Sequence, residues 1–173
     1  MVKNAQKFAK MADVPTAQDL NTSIATVSSR YRHENQNSIY FLKPNSMKVY
    51  FLDFKRRGFC EEMIKWHKNS NRTLSRDFTS QQTSDANIYV VGGNKPNGAD
   101  NLVLNDCIQI DANMTAYERE PMKTARYSAP LALIKDRFVL ALGGYVSKYN
   151  ITKMAECYDT HLNHWFSIAP LPT

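Results

Sequence analysis

The sequence predicts an all-β protein built from repeated four-stranded antiparallel units, and three observations lead to this prediction. Apolar runs of strand length recur along the 173 residues, separated by turn residues, and long helix-period segments are absent. Two runs, IYVVGG at 88–93 and FVLALGG at 138–144, close with two glycines, 51 residues apart. An aspartate followed six residues later by an aromatic occurs three times. Such a period indicates a repeat architecture.

Residues 1–37 are predicted to form a polar N-terminal arm or linker. The stretch 13–34 is rich in Ser, Thr, Asn and Gln, and a short helix is expected only within residues 3–12. The start of the chain has no apolar core of a secretory signal. The expected location is therefore the cytoplasm.

The first unit, 38–65, is the most degenerate. SIYFL at 38–42 is its apolar strand, and Asp53 with Phe59 repeats the aspartate and aromatic pattern. Lys43 and Pro44 stand where the later units have glycines. We expect an irregular or shortened unit here.

The second and third units, 77–120 and 127–169, carry the full pattern. Each has four strand candidates, the first around Phe78 in one unit and around Leu131 in the other. The signature positions are Gly92, Gly93, Asp111 and Tyr117 in the second unit, and Gly143, Gly144, Asp159 and Trp165 in the third.

Each signature residue has a structural reason. Glycines after a strand allow a sharp turn and close approach of a neighbouring element. The aspartate begins a turn in which its carboxylate accepts backbone N–H bonds, and the aromatic buries a large side chain. A phosphate-binding loop would need a following helix and a GK[ST] ending, which the sequence does not have.

With these motifs, and with Met122 and Arg126 as a Met-x-x-x-Arg opening, residues 38–173 resemble the kelch repeat family. The resemblance implies kelch-type β-propeller blades, about two and a half of them, in an incomplete ring. It also implies that loops joining the second to the third strand, and one blade to the next, bind partners.

Transferred by position, the candidate partner-binding residues lie in 94–101, in 145–152 and in the inter-blade stretches. They are Asn94, Lys95, Asn97, Asp100, Arg126, Tyr145, Lys148 and Tyr149. Such a polar and aromatic mixture is typical of a binding rim. The alternative is that they are merely solvated turns.

Charge, hydropathy and motifs argue against several classes of function. The net charge of +6 comes from scattered basic residues, with only 55–57 contiguous, and nucleic-acid signatures are absent. No apolar stretch is long enough for a membrane helix. The three cysteines lack metal spacing, and His161 with His164 would need a third ligand to hold a metal. No catalytic residue, metal or cofactor is predicted.

The sequence therefore predicts a non-enzymatic interaction module or scaffold for a protein partner. The resemblance suggests a cytoskeletal or ubiquitin-ligase component, without nucleic acid or membrane. The alternative is a propeller enzyme, an oxidase or sugar-processing protein, with a site at the central channel. So few blades would leave apolar end faces open, and we therefore expect self-association. We interpret the chain as a fragment or truncated gene product; the alternative is that another chain supplies the missing blades.

Overall fold

The computed structural model describes residues 38–53, 58–97 and 100–172, and all regular secondary structure in these ranges is β-strand. The all-β prediction is thus confirmed for this part of the chain. The predicted arm at 1–37, with its expected helix, lies outside the described residues. Within those ranges, no helix has the length and apolarity to cross a membrane.

The first sheet contains β1 (Ser38–Leu42), β2 (Lys48–Asp53) and β3 (Gly58–Met63), antiparallel in that order. A five-residue turn joins β1 to β2, with Asn45 in the left-handed region at a φ of 54°. Lys43 N donates to Lys48 O at 3.0 Å and closes this turn. Lys43 and Pro44 thus lie in a short turn, in which Asn45 takes the left-handed backbone conformation that the glycines take in the later units.

The second sheet contains five strands. In chain order the next elements are β4 (Lys65–Trp66), β5 (Thr79–Gln82), β6 (Ile88–Val91), β7 (Asn94–Asn97), β8 (Asp100–Val103), β9 (Cys107–Ile110) and β10 (Thr115–Glu118). The sheet order is β4-β10-β9-β6-β5. Strands β5, β6, β9 and β10 are the four predicted antiparallel strands. The sequence did not predict β4, which pairs parallel with β10 and places Trp66 opposite Ala116.

The stretch 94–101, expected to be a loop, includes a two-stranded hairpin. Strands β7 and β8 pair antiparallel, with Asn94 opposite Val103 and Asn97 opposite Asp100. The hairpin has little apolar alternation, so the pattern did not reveal it.

The third sheet contains β11 (Leu131–Ile134), β12 (Phe138–Leu142), β13 (Ala155–Asp159) and β14 (His164–Ile168). It is a meander of four antiparallel strands in sequence order. Every residue of β13 is buried, and this strand lies inside the sheet between β12 and β14.

Two apolar clusters hold the sheets together. One joins the first and second sheets around Val49, Ile88 and Ile110. The other joins the second and third sheets around Tyr89, Val139 and Trp165, among others. The second sheet is therefore packed on both faces, and its successive side chains alternate between the two clusters. This explains the nearly continuous apolar run of β6.

Candidate functional site

The connections expected to bind partners are adjacent in the structure. Gly93 N donates to Arg126 O at 2.9 Å, which ties the connection after β6 to the segment that enters the third sheet. Tyr127 and Tyr145 exchange two backbone hydrogen bonds of 2.9 and 3.0 Å. We call residues 92–97, 100–106, 119–130 and 143–154 the loop face.

The repeat persists here at backbone level. Arg76 and Asn94 exchange two backbone bonds of 2.9 and 2.8 Å, and each stands 51 residues before its counterpart in the Tyr127–Tyr145 pair. Because the same two bonds recur at the glycine spacing, that spacing describes a real structural period. It also identifies Tyr127, which the sequence reasoning missed, as part of the loop face.

The glycine doublets are required by close backbone contacts. Gly92 and Gly93 have φ of 67° and 110°. A Cβ on Gly92 would overlap Arg126 O, and one on Gly93 would lie 2.6 Å from Arg76 O. Gly143 and Gly144 are also left-handed, at 62° and 91°. The missing Cβ atoms therefore let a neighbouring stretch of backbone, such as that at Arg126, lie directly against the end of β6.

Arg126 is buried, which corrects its assignment as a partner-binding residue. Its guanidinium donates from Nη1 to Gly143 O at 2.8 Å and to Met154 O at 2.6 Å. Its Nη2 donates to Glu156 Oε1 at 2.6 Å, and the two side chains are 0% and 1% exposed. Arg126 therefore binds together two stretches of the third unit and has no surface to offer.

Glu156 completes this buried network. Its second oxygen, Oε2, accepts from Lys123 N at 2.8 Å, and Oε1 also accepts from Thr124 N at 3.1 Å. A buried carboxylate is tolerable only when its charge and lone pairs are satisfied in this way. The network holds the inter-sheet segment at 122–126 in place.

Asn94 is also buried, so its assignment to a binding rim is wrong. Its Nδ2 donates to Asp77 Oδ2 at 2.7 Å. The backbone pairing with Arg76 fixes Asn94 at the base of the β7–β8 hairpin. A polar residue after glycines suggested exposure, but the turn directs this side chain inwards.

The other candidates lie at the surface as far as they are described. Asn97, Lys148 and Tyr149 are exposed, and Lys95 is half-buried. For Asp100 the structure describes the backbone only.

Aromatic side chains dominate the exposed part of the connection after β12. Tyr145 stacks on Tyr127 with ring centroids 5.2 Å apart and planes 18° from parallel. Tyr149 is 81% exposed, and Lys148 Nζ lies 5.2 Å from its ring centroid. Ile151, which the sequence reasoning did not select, is exposed beside them. Aromatic and aliphatic side chains in open solvent are typical of interaction surfaces.

The backbone beneath these side chains is internally bonded. Val146 N donates to Asn150 O at 2.9 Å, and Thr152 N to Gly144 O at 2.9 Å. Tyr127 OH donates to Ser147 O at 3.3 Å. The connection therefore has a defined shape that presents its side chains outwards.

The pairing of Tyr117 with Trp165 as equivalent aromatics is wrong by one residue. Trp165 lies opposite Tyr158 in its hairpin, whereas the residue opposite the matching Ile110 is Ala116. The β9–β10 turn is one residue shorter, and a slip of one residue turns a strand side chain to the other face. Tyr117 is accordingly half-buried and stacks on His67 at 4.8 Å.

Both signature aspartates do have the predicted turn role. Asp111 Oδ1 accepts from Asn113 N and Thr115 N, each at 2.9 Å. Asp159 Oδ1 accepts from His161 N at 2.9 Å and Leu162 N at 3.2 Å. In both turns one carboxylate oxygen accepts two backbone N–H groups, from residues i+2 and i+4 at Asp111 and from residues i+2 and i+3 at Asp159.

Asp159 is also paired with Arg137, whose Nη2 lies 2.6 Å from Oδ2. Burial alone would raise the pKa of Asp159, but the Arg137 guanidinium and the two backbone donors lower it below the ordinary value. The carboxylate is a structural anion at neutral pH.

Trp165 is fully buried, as predicted. Its Nε1 donates to Glu120 O at 2.8 Å, so the indole links the third sheet to the segment leaving the second. The side chain of Glu120 also contacts His164, the residue before Trp165, with 2.8 Å between Oε2 and Nδ1.

The thiols of Cys107 and Cys157 are buried. Burial raises the pKa of the Cys157 thiol to about 12 and also raises that of Cys107. A thiol with a raised pKa is a poor nucleophile. Within the described ranges, no three or more His, Cys, Asp or Glu side chains are grouped to hold a metal.

No protein-family model matches the chain, and no curated protein matches it in sequence. Among solved structures, the one described as "Structure of YjhT" is similar, with a TM-score of 0.59 at 12% identity. The similarity covers 79% of this chain and 50% of that chain. At this identity the likeness concerns the fold alone, and the chain spans half the length of that neighbour.

Proposed function

We propose that residues 38–173 are kelch-type propeller blades that act as a non-enzymatic interaction module for a protein partner. Three successive sheets, each packed on the last, with glycine doublets and aspartate turns at the repeat period, support the kelch assignment. Aromatic and basic side chains on the loop face support the binding role.

The observation that carries the proposal is the exposed strip at 145–151. Tyr149 and Ile151 project from a connection whose backbone is hydrogen-bonded, with Lys148 beside them. A preformed loop loses little conformational entropy on binding, and Tyr combines apolar area with a polar tip. This combination suits a protein surface with an apolar centre and polar rim.

The partner class is a protein of the cytoplasm, where a cytoskeletal or ubiquitin-ligase assembly is the setting that the kelch resemblance suggests.

The buried Arg126–Glu156 network underlies the exposed strip at 145–151, because Arg126 binds the carbonyls of Gly143 and Met154, on either side of the strip. The network is therefore scaffold for the binding loop.

Site-specific photo-crosslinking tests the proposal. A photoreactive phenylalanine analogue is placed at Tyr149, and a matched control at Leu162, an exposed apolar residue in the β13–β14 turn at the opposite end of the strands. In extract, position 149 should crosslink to a discrete protein, and position 162 should not.

Competition makes the test specific. Excess unlabelled wild-type chain should abolish the crosslink at position 149, and excess Tyr149→Ser chain should not. Equal labelling from both positions, or competition by both chains, would contradict the loop face as the binding surface.

A further inference from the structure

A cavity of about 320 Å³ lies at the β4 edge of the second sheet, between β10 and the segment that follows β4. Cavities of roughly 300–1,000 Å³ are the size at which proteins hold small molecules. The exposed strip at 145–151 contributes no residue to the wall, so the cavity is separate from the proposed protein-binding strip. The wall consists of residues 66–70 on one side and of residues 116–119 on the other.

The β4 side of the wall is fixed to the sheet. His67 N donates to Ala116 O at 3.0 Å, which continues the pairing of β4 with β10. The indole Nε1 of Trp66 donates to Arg72 O at 2.8 Å and closes the loop at 67–71. A cavity with a preformed wall loses little conformational entropy when it binds a ligand.

The charge that remains at the cavity is positive. Glu118 is the acidic residue of the wall, and Arg72 pairs with it and with Asp106, the latter at 2.5 Å. This group of three leaves one negative charge, whereas Lys68 and Arg119 supply two positive charges. Lys68 is exposed, and no hydrogen bond or ion pair joins its ammonium group to another described residue.

Arg119 is half-buried in the wall, and no carboxylate of the described residues pairs with it. Its Nε donates to Gln109 Oε1 at 2.8 Å, and its guanidinium carbon lies 5.5 Å from the centroid of the Tyr117 ring. Both partners are uncharged. Its Nη1 has no acceptor among the described residues, where every buried side-chain nitrogen has one, so Nη1 is accessible. A guanidinium in this state suits a phosphate, because its planar fork matches two phosphate oxygens.

An aromatic surface lies beside these cations. His67 stacks on Tyr117 with ring centroids 4.8 Å apart and planes 29° from parallel. His67 is exposed although Tyr117 covers one face of its ring, so its other face is open. A nucleobase can stack on such a face, and any base will do, because every base has a π-face. Asn69 and Ser70, exposed polar residues of the same wall, can hydrogen-bond sugar hydroxyls.

We propose that this cavity binds a nucleoside monophosphate. The base stacks on His67, Arg119 and Lys68 bind the phosphate, and Asn69 and Ser70 face the ribose. The combination of an unpaired guanidinium with an open aromatic face carries this assignment. A phosphate alone would leave the aromatic face unused, and a neutral aromatic ligand would leave both cations unpaired.

Calorimetric titration of the full chain tests the proposal. AMP, GMP, CMP and UMP should each bind with a Kd of about 1 mM or below, because stacking does not select the base. Adenosine lacks the phosphate and inorganic phosphate lacks the base, so each should bind at least about tenfold more weakly than AMP. A chain that binds none of the four nucleotides, or that binds adenosine as tightly as AMP, overturns the proposal.

Substitutions assign the binding to the cavity. Arg119→Gln, Lys68→Gln and His67→Ala should each weaken AMP binding at least about fivefold, since each removes one of the proposed contacts. Lys43→Gln is the matched control, because it removes the charge of an exposed lysine in the β1–β2 turn of the first sheet. This control should bind AMP as the wild type does. An equal loss in Lys43→Gln and Lys68→Gln would reduce the effect to net charge and contradict the site.

Thermal melts show which variants fold. Lys68 and His67 are exposed, so Lys68→Gln and His67→Ala test the site even where Arg119→Gln fails to fold. Unchanged AMP binding by both of these variants would refute the assignment.

Competition separates a free nucleotide from RNA. A short riboadenylate oligomer should displace AMP no better than unlabelled AMP does. Displacement at least about tenfold better would assign the cavity to RNA and overturn the proposal.

Discussion

Arg126, in the segment that enters the third sheet, and Glu156, in β13, form a buried ion pair with 2.6 Å between Nη2 and Oε1. At the equivalent positions one repeat earlier stand Ser75 and Ile108, both buried. Ser75 Oγ donates to Gly92 O at 3.0 Å, as Arg126 donates to Gly143 O. The two charges are therefore present together in one unit and absent together in the other, which avoids an unpaired buried charge.

This relationship predicts strong coupling between the two residues. Arg126→Ser or Glu156→Ile alone should destabilise the fold by about 3–5 kcal/mol, because each leaves the other charge buried and unpaired. The double variant, which copies the second unit, should lose less than the sum of the two. A double-mutant cycle by chemical denaturation measures the coupling, and additive losses would contradict it.

Trp165→Ala should lower the free energy of unfolding by about 3–5 kcal/mol, because it removes a fully buried indole and its bond to Glu120 O. Tyr117 is half-buried and is the residue that the sequence pattern equated with Trp165. Tyr117→Ala should lower the free energy of unfolding by only about 1 kcal/mol. Denaturant titrations of both variants check the order. Equal losses would mean that the register argument for Ala116 is wrong.

Replacing the first glycine of each doublet, Gly92 or Gly143, by alanine should change stability to different extents. Both Gly92→Ala and Gly143→Ala meet a left-handed backbone cost of about 1–2 kcal/mol. A Cβ at Gly92 overlaps a backbone carbonyl, whereas one at Gly143 lies 3.1 Å from Thr152 O. Gly92→Ala should therefore be the more destabilising. Thermal melts compare them, and the reverse order would contradict the close contact with Arg126.

Asn94→Ala should destabilise the chain by about 1–3 kcal/mol, since it removes a buried donor to Asp77. Lys148→Ala, at an exposed residue of the loop face, should change stability by no more than about 0.5 kcal/mol. Denaturation midpoints distinguish them, and a neutral Asn94→Ala would place that side chain at the surface after all.

The buried thiols should be unreactive in the folded chain and should make its stability fall at high pH. In a Cys60→Ser background, a disulfide reagent should label Cys107 and Cys157 only after denaturant is added. A folded-state pKa raised to about 12 for Cys157 contributes stability below the unfolded value of about 8.5.

That contribution is lost as the pH rises from about 8.5 towards 12. Denaturation at pH 8 and pH 10 should therefore show a decrease in the free energy of unfolding, and Cys157→Ala should reduce the decrease. Rapid native labelling would contradict the burial of the thiols.

The strands and aspartate turns could be predicted because their signals are local. The short continuous apolar runs IYVV and FVLAL, each followed by two glycines, specify strands through their own backbone and packing preferences. Asp111 and Asp159 bond to donors within four residues, so their turns depend on neighbouring sequence alone. The glycine doublets indicated a close approach without indicating what approaches.

The hairpin β7–β8 and the short β4 could not be predicted in this way. Neither has an apolar period. Lys65 and Trp66 form β4 because they pair with the edge of β10. Pairing with a partner about 50 residues away leaves no mark in a two-residue segment.

The amino-acid sequence by itself determined that the chain forms repeated antiparallel sheets, because apolar runs of strand length and turn chemistry act over a few residues. Only the tertiary structure decided which side chains face solvent. Arg126 and Asn94 are buried because Glu156 and Asp77 come from other parts of the chain to satisfy them. A turn one residue shorter sends Tyr117 to the face opposite that of Trp165, since strand side chains alternate at every step.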